Sequence, residues 1–263
     1  MTRLPHDAYL DHLRTESHRF REVLTDCDPR ARVPSCPDWS AWDLAYHLAE
    51  VQWFWGGVVM DRPKSPGDQP DLPRGDTFED TLDTFDDVSQ RLVDALAKAE
   101  PADPAWTWSV EQTVGFIFRR QAHEALIHRL DAELVAGRVT PLDATLAADG
   151  VDETLDVMFG GCPPWGEYSG LPHHVRVDVA DTDDRVWVQI GRFSGTDPDG
   201  VHHEEDDIHV VGDPGVEPDA VVSGPAGALD AWLWRRGDDS QVHVTGDKAV
   251  YDHFRLAVNH PIN

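Results

Sequence analysis

The spacing of apolar residues changes once along this chain, at the glycine- and proline-rich stretch "GGCPPWGEYSGLP". Before it, apolar residues recur every three or four positions, which is typical of amphipathic helices. After it, apolar and polar residues alternate in short runs, which is typical of strands. A domain built only of helices or only of strands does not account for both patterns. The sequence therefore predicts a helical domain over residues 1–160 and a smaller α+β domain over residues 165–263.

The first part contains four main helical segments and a shorter fifth one. "DAYLDHLRTESHRFREVL" and "TFEDTLDTFDDVSQRLVDALAKA" each carry one apolar stripe. The second helix is predicted to begin after Ser40, because Asp43 completes a capping box and Trp39 is placed to pack on Leu44. The fourth is predicted from about Ser109 to Ala136, with "LDATLAADGVDETLDVMF" as the fifth. Helices of this number and length predict an up-down four-helix bundle.

The second part contains short alternating segments. "HHVRVDVADTDDRVWVQIGRF" predicts two strands around a polar turn, and "DIHVVG", "DAVVSG" and "QVHVTG" predict further strands. "PAGALDAWLWRR" and "DKAVYDHFRLAV" predict helices. "GVHHEEDDIHV" carries three histidines among acids; metal binding is conceivable there, but its alternation and polarity favour an exposed hairpin.

The charge of the chain argues against some partners. Its 49 acidic and 22 basic residues give a formal net charge of -27, a field that repels nucleic acids and anionic membranes. No apolar run reaches the length of a membrane span, and the first residues lack the order of a signal peptide. We therefore expect a soluble cytoplasmic protein without nucleic-acid or membrane partners. Three cysteines without a C-x-x-C pair predict no thiolate zinc site, so that a metal would need His and carboxylate ligands.

Three residues on two predicted helices form a candidate metal site. Glu124 and His128 are four positions apart, so they share one helix face, and His47 lies about two turns into the second helix. Together they would offer two imidazoles and a carboxylate with open positions for water or substrate. Taken alone, each residue is weak evidence for a metal, since a single histidine on an apolar helix is more often hydrogen-bonded in the core or half exposed, and a Glu four residues before a His occurs by chance on many helices. His123 points about 100° away from Glu124 around its helix.

Other residues have alternative roles as well. Asp131 and Gln121 lie near the face of Glu124, either as supports of the ligands or as solvated residues. Five tryptophans are candidates for a pocket lining, although bundle core is the favoured role; they are Trp42, Trp53, Trp55, Trp106 and Trp108.

Two stretches resemble a known family. "VPSCPDWSAWDLAYHLAEVQWFWGGVV" and "RRQAHEALIHRLDAELVAG" are similar to the N-terminal domain of the mycothiol-dependent maleylpyruvate isomerase family, a DinB-like bundle. The resemblance covers about the first 160 residues. "VSGPAGALDAWLWRRGDDSQVHVTGD" more loosely resembles that family's sterol carrier protein-like second domain.

The resemblance implies a set of site residues. The family binds a divalent ion, usually zinc, and the positions of its ligands correspond to His47, Glu124 and His128. The family also uses an arginine of the second domain near the substrate. This arginine corresponds to Arg235 or Arg236, because the similarity in that region is too loose to distinguish the two. The implied cosubstrate is the thiol mycothiol. The donor set alone also suits iron, manganese or nickel.

These residues lead to a functional hypothesis. A metal with an open position lowers the pKa of a thiol, and the thiolate attacks a small electrophile. If the sulfur later leaves, the net reaction is cis-trans isomerisation; if it stays, the enzyme is an S-transferase, which we slightly favour. The alternatives are a non-catalytic metal or small-ligand binding module and a metal-dependent hydrolase. A monomer and a homodimer are both compatible with the sequence.

Overall fold

The computed structural model of the protein describes residues 3–62, 67, 69–260 and 262. The chain divides into two compact units: one is Leu4–Leu142, and the other starts at Asp143. Each unit is described by itself.

The first unit is a bundle of four helices with a small hairpin. Helix α1 packs against α4, and α2 packs against α3. Its core contains Phe20, Leu44, Leu48 and Phe85, all at most 1% exposed. The elements are α1 (His6–Thr25), β1 (Arg32–Val33), β2 (Cys36–Ser40), α2 (Ala41–Asp61), α3 (Phe78–Leu96) and α4 (Val114–Ala136). The predicted four-helix bundle is thus confirmed.

Helix α2 begins where its cap predicts. The Ser40 hydroxyl accepts a hydrogen bond from the Asp43 backbone N–H at 3.2 Å, and the Asp43 carboxylate accepts one from the Ser40 N–H at 2.9 Å. This reciprocal pair is a capping box, in which two backbone donors without helical partners are satisfied. The preceding "CPDWS" is strand β2 and pairs with β1.

Helix α4 starts later than predicted. Its N-cap is Thr113, whose hydroxyl accepts from the Phe116 N–H, and its first residue is Val114 rather than Ser109. The preceding residues form a loop, because the Gln112 amide donates to the Thr107 carbonyl at 2.6 Å and thereby holds a non-helical turn. The helix ends at Gly137, whose φ of 65° suits a left-handed C-cap, as expected.

The second unit is a five-stranded sheet with helices, so the predicted α+β class is confirmed. The strand order is β5-β4-β3-β6-β7, and only the β3–β6 pair is parallel. Buried Val177, Val188, Ile190 and Val222 contribute to its core together with Phe254. The elements are α5 (Ala144–Glu153), a π-helical turn (Thr154–Phe159), β3 (Gly166–Val179), β4 (Asp184–Thr196), β5 (His202–Val211), β6 (Ala220–Gly224), α6 (Ala226–Leu233), β7 (His243–Gly246) and α7 (Lys248–Ala257).

The division between the units lies after Leu142, earlier than the predicted boundary near residues 160–165. Helix α5, expected as a fifth piece beside the bundle, packs against α6 of the second unit. Gly150 allows this close approach, since a Cβ at this position would lie 2.8 Å from the Asp230 carboxylate. None of the described helices is both long and apolar enough to span a membrane.

Candidate metal centre

Two helices bring three metal-type donors to one point. His47 projects from α2, and Glu124 and His128 project from successive turns of α4. Oε1 of Glu124 lies 3.2 Å from Nε2 of His128 and 3.5 Å from Nε2 of His47. One donor atom from each residue lies within 4.8 Å of the other two, and no other group of His, Cys, Asp and Glu in the described part of the chain is arranged in this way.

The spacing of these donors fits a metal ion. Donors about 2.0–2.1 Å from a tetrahedral zinc ion are separated from each other by roughly 3.3 Å, which is the length of a tetrahedron edge. The two contacts of Glu124, at 3.2 and 3.5 Å, are close to that value. Two imidazoles and one carboxylate form the donor set of catalytic zinc sites, which keep a fourth position open.

The electrostatics of the site depend on these contacts. Burial alone would raise the pKa of Glu124, but hydrogen bonds from His128 and His47 and the charge of Arg120 hold it well below the usual range. Burial would lower the pKa of His128, but hydrogen bonds to Asp131 and Glu124 raise it to about 9. These contacts favour a carboxylate on Glu124 and an imidazolium on His128.

Asp131 holds His128 from the side opposite Glu124. Its Oδ2 lies 2.9 Å from Nδ1 of His128, and its Oδ1 accepts a hydrogen bond from the Ser35 hydroxyl. A carboxylate on Nδ1 fixes the imidazole so that Nε2 is directed to the other two donors. The expectation that Asp131 supports a ligand is thus consistent with the geometry, whereas Ser35, in the loop between β1 and β2, was not anticipated.

Trp39 covers the two histidines. Its ring centroid lies 4.6 Å from that of His47 and 6.3 Å from that of His128. Sequence analysis assigned Trp39 only to packing on Leu44. Its position immediately before the N-cap Ser40 is the signal that could have placed it one to two turns from His47.

Other candidates lie away from the donors. His123 is buried, with its ring 6.1 Å from Tyr9 of α1, as expected for a residue outside the cluster. Gln121 is buried on the same face of α4 as His128, and neither of its amide atoms has a hydrogen-bond partner among the described residues. Trp55 is buried and stacks on Trp106, as favoured for a core residue, whereas Trp108 is 48% exposed and the favoured core role is wrong for it.

The second unit holds the remaining candidates. Arg235 follows Trp234, the C-cap of α6, and has a positive φ of 61°. Arg236 donates a hydrogen bond to the Trp234 carbonyl at 2.7 Å. The histidine-rich segment is strand β5, which pairs with β4 as the predicted hairpin. There Nε2 of His203 lies 2.9 Å from Oδ2 of Asp197, as a hydrogen-bonded pair rather than part of a cluster of metal donors.

Two family models match the chain. Residues 10–133 match the model of the mycothiol maleylpyruvate isomerase N-terminal domain, and residues 145–253 match the model of the corresponding C-terminal domain. The first match contains all three donors of the candidate centre, and the second contains both arginines.

Solved structures show the same fold. Two crystal structures of the mycothiol-dependent maleylpyruvate isomerase, one of a mutant, each superpose with a TM-score of 0.61 at 12% sequence identity. Each match covers 93% of this chain and 96% of the other. A search of curated proteins finds no significant match.

Proposed function

The chain belongs to the mycothiol-dependent maleylpyruvate isomerase family, and from this we propose that it is an enzyme that activates a small thiol at a divalent metal ion. The observation that carries the proposal is the meeting of His47, Glu124 and His128 at distances that fit one ion. We propose Zn²⁺ as the ion and mycothiol as the thiol, in line with the family.

The residues of the centre have separate tasks. His47, Glu124 and His128 would hold the ion. Asp131 would accept a hydrogen bond from Nδ1–H of His128, so that Nε2 faces the ion. When bound, the ion supplies a Lewis acid that lowers the pKa of a thiol. The His47 side chain is 30% exposed, which leaves access from solvent, while Trp39 excludes water from one side of its ring.

The thiolate would act on a maleyl-type acid by addition and elimination. Its sulfur forms a bond to one carbon of the cis double bond, and the π electron pair moves to the neighbouring carbonyl-substituted carbon. Rotation about the resulting single bond follows. The electron pair then restores the double bond in the trans form while the C–S bond breaks and the thiolate leaves, so no atom is gained or lost. If a proton is captured first, the conjugate persists and the reaction is S-transfer.

We propose that a second-unit arginine steers the carboxylate of the electrophile. Arg235 is exposed at its position after α6, whereas the Arg236 guanidinium is engaged with the Trp234 carbonyl. A guanidinium recognises a carboxylate through two parallel hydrogen bonds. Arg235 is therefore the first residue to test.

The test combines metal analysis with turnover. We expect elemental analysis to find about one divalent ion per chain, and to identify it as zinc. His128→Ala should lose the ion, because two remaining ligands do not form a catalytic site. Mycothiol and maleylpyruvate supplied together should give the trans isomer with wild type only.

The matched control is His123→Ala, which removes a buried histidine of the same helix that lies outside the cluster and should retain the ion. A folded wild-type chain that binds no divalent metal contradicts the proposal. Mycothiol binding without turnover of maleylpyruvate or other electrophiles would favour a binding module. Turnover that continues without thiol would favour a hydrolase, and a stable conjugate seen by mass spectrometry would favour S-transfer.

A further inference from the structure

The two oxygens of Glu124 have different partners. Oε1 faces both histidines, at 3.2 and 3.5 Å. Oε2 accepts a hydrogen bond from Nη2 of Arg120 at 2.7 Å. Only 4% of the Arg120 side chain is exposed, so water does not compete strongly for this contact. The carboxylate is thus divided between a metal side and an arginine side.

We propose that Arg120 is a positioning residue that limits Glu124 to one oxygen toward the ion. The inference rests on the metal site of the proposed function. Carboxylates bind cations through one or both oxygens, and a second bound oxygen occupies a further coordination position. Because Arg120 holds Oε2 in a short charge-assisted hydrogen bond, Glu124 presents Oε1 alone. The position that a second carboxylate oxygen would fill stays open for the thiol.

The local sequence makes this arrangement stable. Arg120 and Glu124 are four residues apart on α4, the spacing at which side chains of successive turns meet. His128 is four residues further on, so arginine, carboxylate and imidazole form one row along the helix. The row puts Arg120 on the side of Glu124 away from His128. A second role follows from the charge: an arginine beside the carboxylate withdraws negative charge from the donor and leaves the ion more electrophilic.

A purely structural ion pair is the competing explanation, and coordination number separates the two. Protein purified without metal and loaded with Co²⁺ alone should show in wild type the intense visible bands of a four-coordinate ion. In Arg120→Met, Oε2 is released, and we expect a severalfold weaker, five-coordinate spectrum. Arg120→Lys keeps a donor and a charge, and should restore most of the wild-type intensity. If Arg120 has only a structural role, its replacement should lower the free energy of unfolding but leave the Co²⁺ spectrum of the folded fraction unchanged.

Arg19→Met is the matched control, because Arg19 pairs with Glu133, a buried carboxylate that is not a metal donor. Its Co²⁺ spectrum should equal that of wild type. If the Arg120 variants do not fold, X-ray absorption of the Zn²⁺-loaded wild type decides: one-oxygen binding by Glu124 supports the inference, and binding through both oxygens overturns it. A wild type that takes up no metal refutes the proposed function itself, whereas metal uptake with an Arg120→Met spectrum equal to wild type refutes only the role of Arg120.

Discussion

The contacts of His128 favour a positive charge on its ring, and a metal ion bound at its Nε2 would displace one proton. Its Nδ1 lies 2.9 Å from Asp131 and its Nε2 lies 3.2 Å from Glu124, so that both ring nitrogens face a carboxylate. Burial opposes the charge, but the two carboxylates prevail and raise the pKa of His128 to about 9. A metal ion needs the lone pair of Nε2. Nδ1 meanwhile keeps its proton and donates it in a hydrogen bond to Asp131. Metal binding and loss of the Nε2 proton are therefore linked.

We expect metal binding to release a proton from His128 at neutral pH. Below about pH 9 the metal competes with that proton, so the apparent affinity should rise with pH by up to roughly tenfold per unit and level off above about 9. Titration calorimetry with Zn²⁺ in buffers of different ionisation enthalpy measures the released protons directly.

Asp131→Asn is the informative variant for this linkage. Without the charge of Asp131 the pKa of His128 falls, so fewer protons should be released at about pH 8, closer to the wild-type pKa of about 9. The metal affinity should fall by about 10- to 100-fold, as is usual for loss of a partner that orients a ligand. Equal proton release by Asp131→Asn and wild type would show that Asp131 does not hold the charge of His128.

At the scale of elements, the start of α2 controls the approach of His47. The capping box of Ser40 and Asp43 fixes the first helical turn, and Trp39, one residue earlier, lies against the His47 ring. Arg74 also binds Asp43, and these contacts lower the pKa of Asp43 to about 2 against the effect of burial. The cap is therefore retained at all but very low pH.

Ser40→Ala should weaken both stability and metal binding. The lost cap costs about 1 kcal/mol of unfolding free energy. Because the same turn places Trp39 over His47, metal affinity should fall by up to about fivefold, the equivalent of that free energy. Urea unfolding of the metal-free protein and competition with a chelator measure the two effects.

Helix α3 supplies the matched control for this prediction. Thr77 and Asp80 form the same capping box at its start, but α3 carries none of the three metal donors. Thr77→Ala should cost a similar free energy of unfolding and leave metal affinity unchanged. A loss of affinity equal to that of Ser40→Ala would mean that general stability, and not the start of α2, governs the site.

Local signals in the sequence predicted the elements better than their arrangement. The cap at Ser40 predicted the start of α2, and the glycine at 137 predicted the end of α4. The start of α4 was missed because Thr107 and Gln112 form a loop through side-chain bonds that periodicity does not report. The parallel pairing of β3 with β6 was also beyond prediction, since strands far apart in sequence pair through tertiary packing.

The same distinction applies to the site. Glu124 and His128 follow from spacing on one helix, and Arg120 was detectable by the same four-residue rule. His47 was a candidate from its place on a second helix of the predicted bundle, and the resemblance to a family supported it, because spacing within one helix says nothing about which helices adjoin. Ser35 lies in a loop without a periodic pattern, so only the folded structure shows its contact with Asp131.

At the scale of the whole molecule, charge repulsion opposes folding. The chain has 49 acidic and 22 basic residues, so 27 acidic residues would remain unneutralised even if every basic residue paired with one acid. Some pairs are buried and favourable, such as Arg129 with Glu16 at 2.7 Å and with Glu133 at 2.9 Å. Acidic side chains without such partners repel one another. This repulsion acts over long distances, and dissolved salt screens it.

We therefore expect added salt to stabilise the metal-loaded protein. The Debye length falls from about 30 Å at 0.01 M to about 8 Å at 0.15 M ionic strength, so most long-range repulsion is removed in that interval while the buried pairs of Arg129 are little affected. A gain of about 1–2 kcal/mol would raise the unfolding midpoint by roughly 2–8 °C in a chain of this size. Calorimetry in NaCl, KCl and choline chloride at matched ionic strength provides the control, because screening depends on ionic strength and not on the cation. A midpoint that falls as salt rises would show instead that attractive ion pairs outweigh the repulsion of the excess acids.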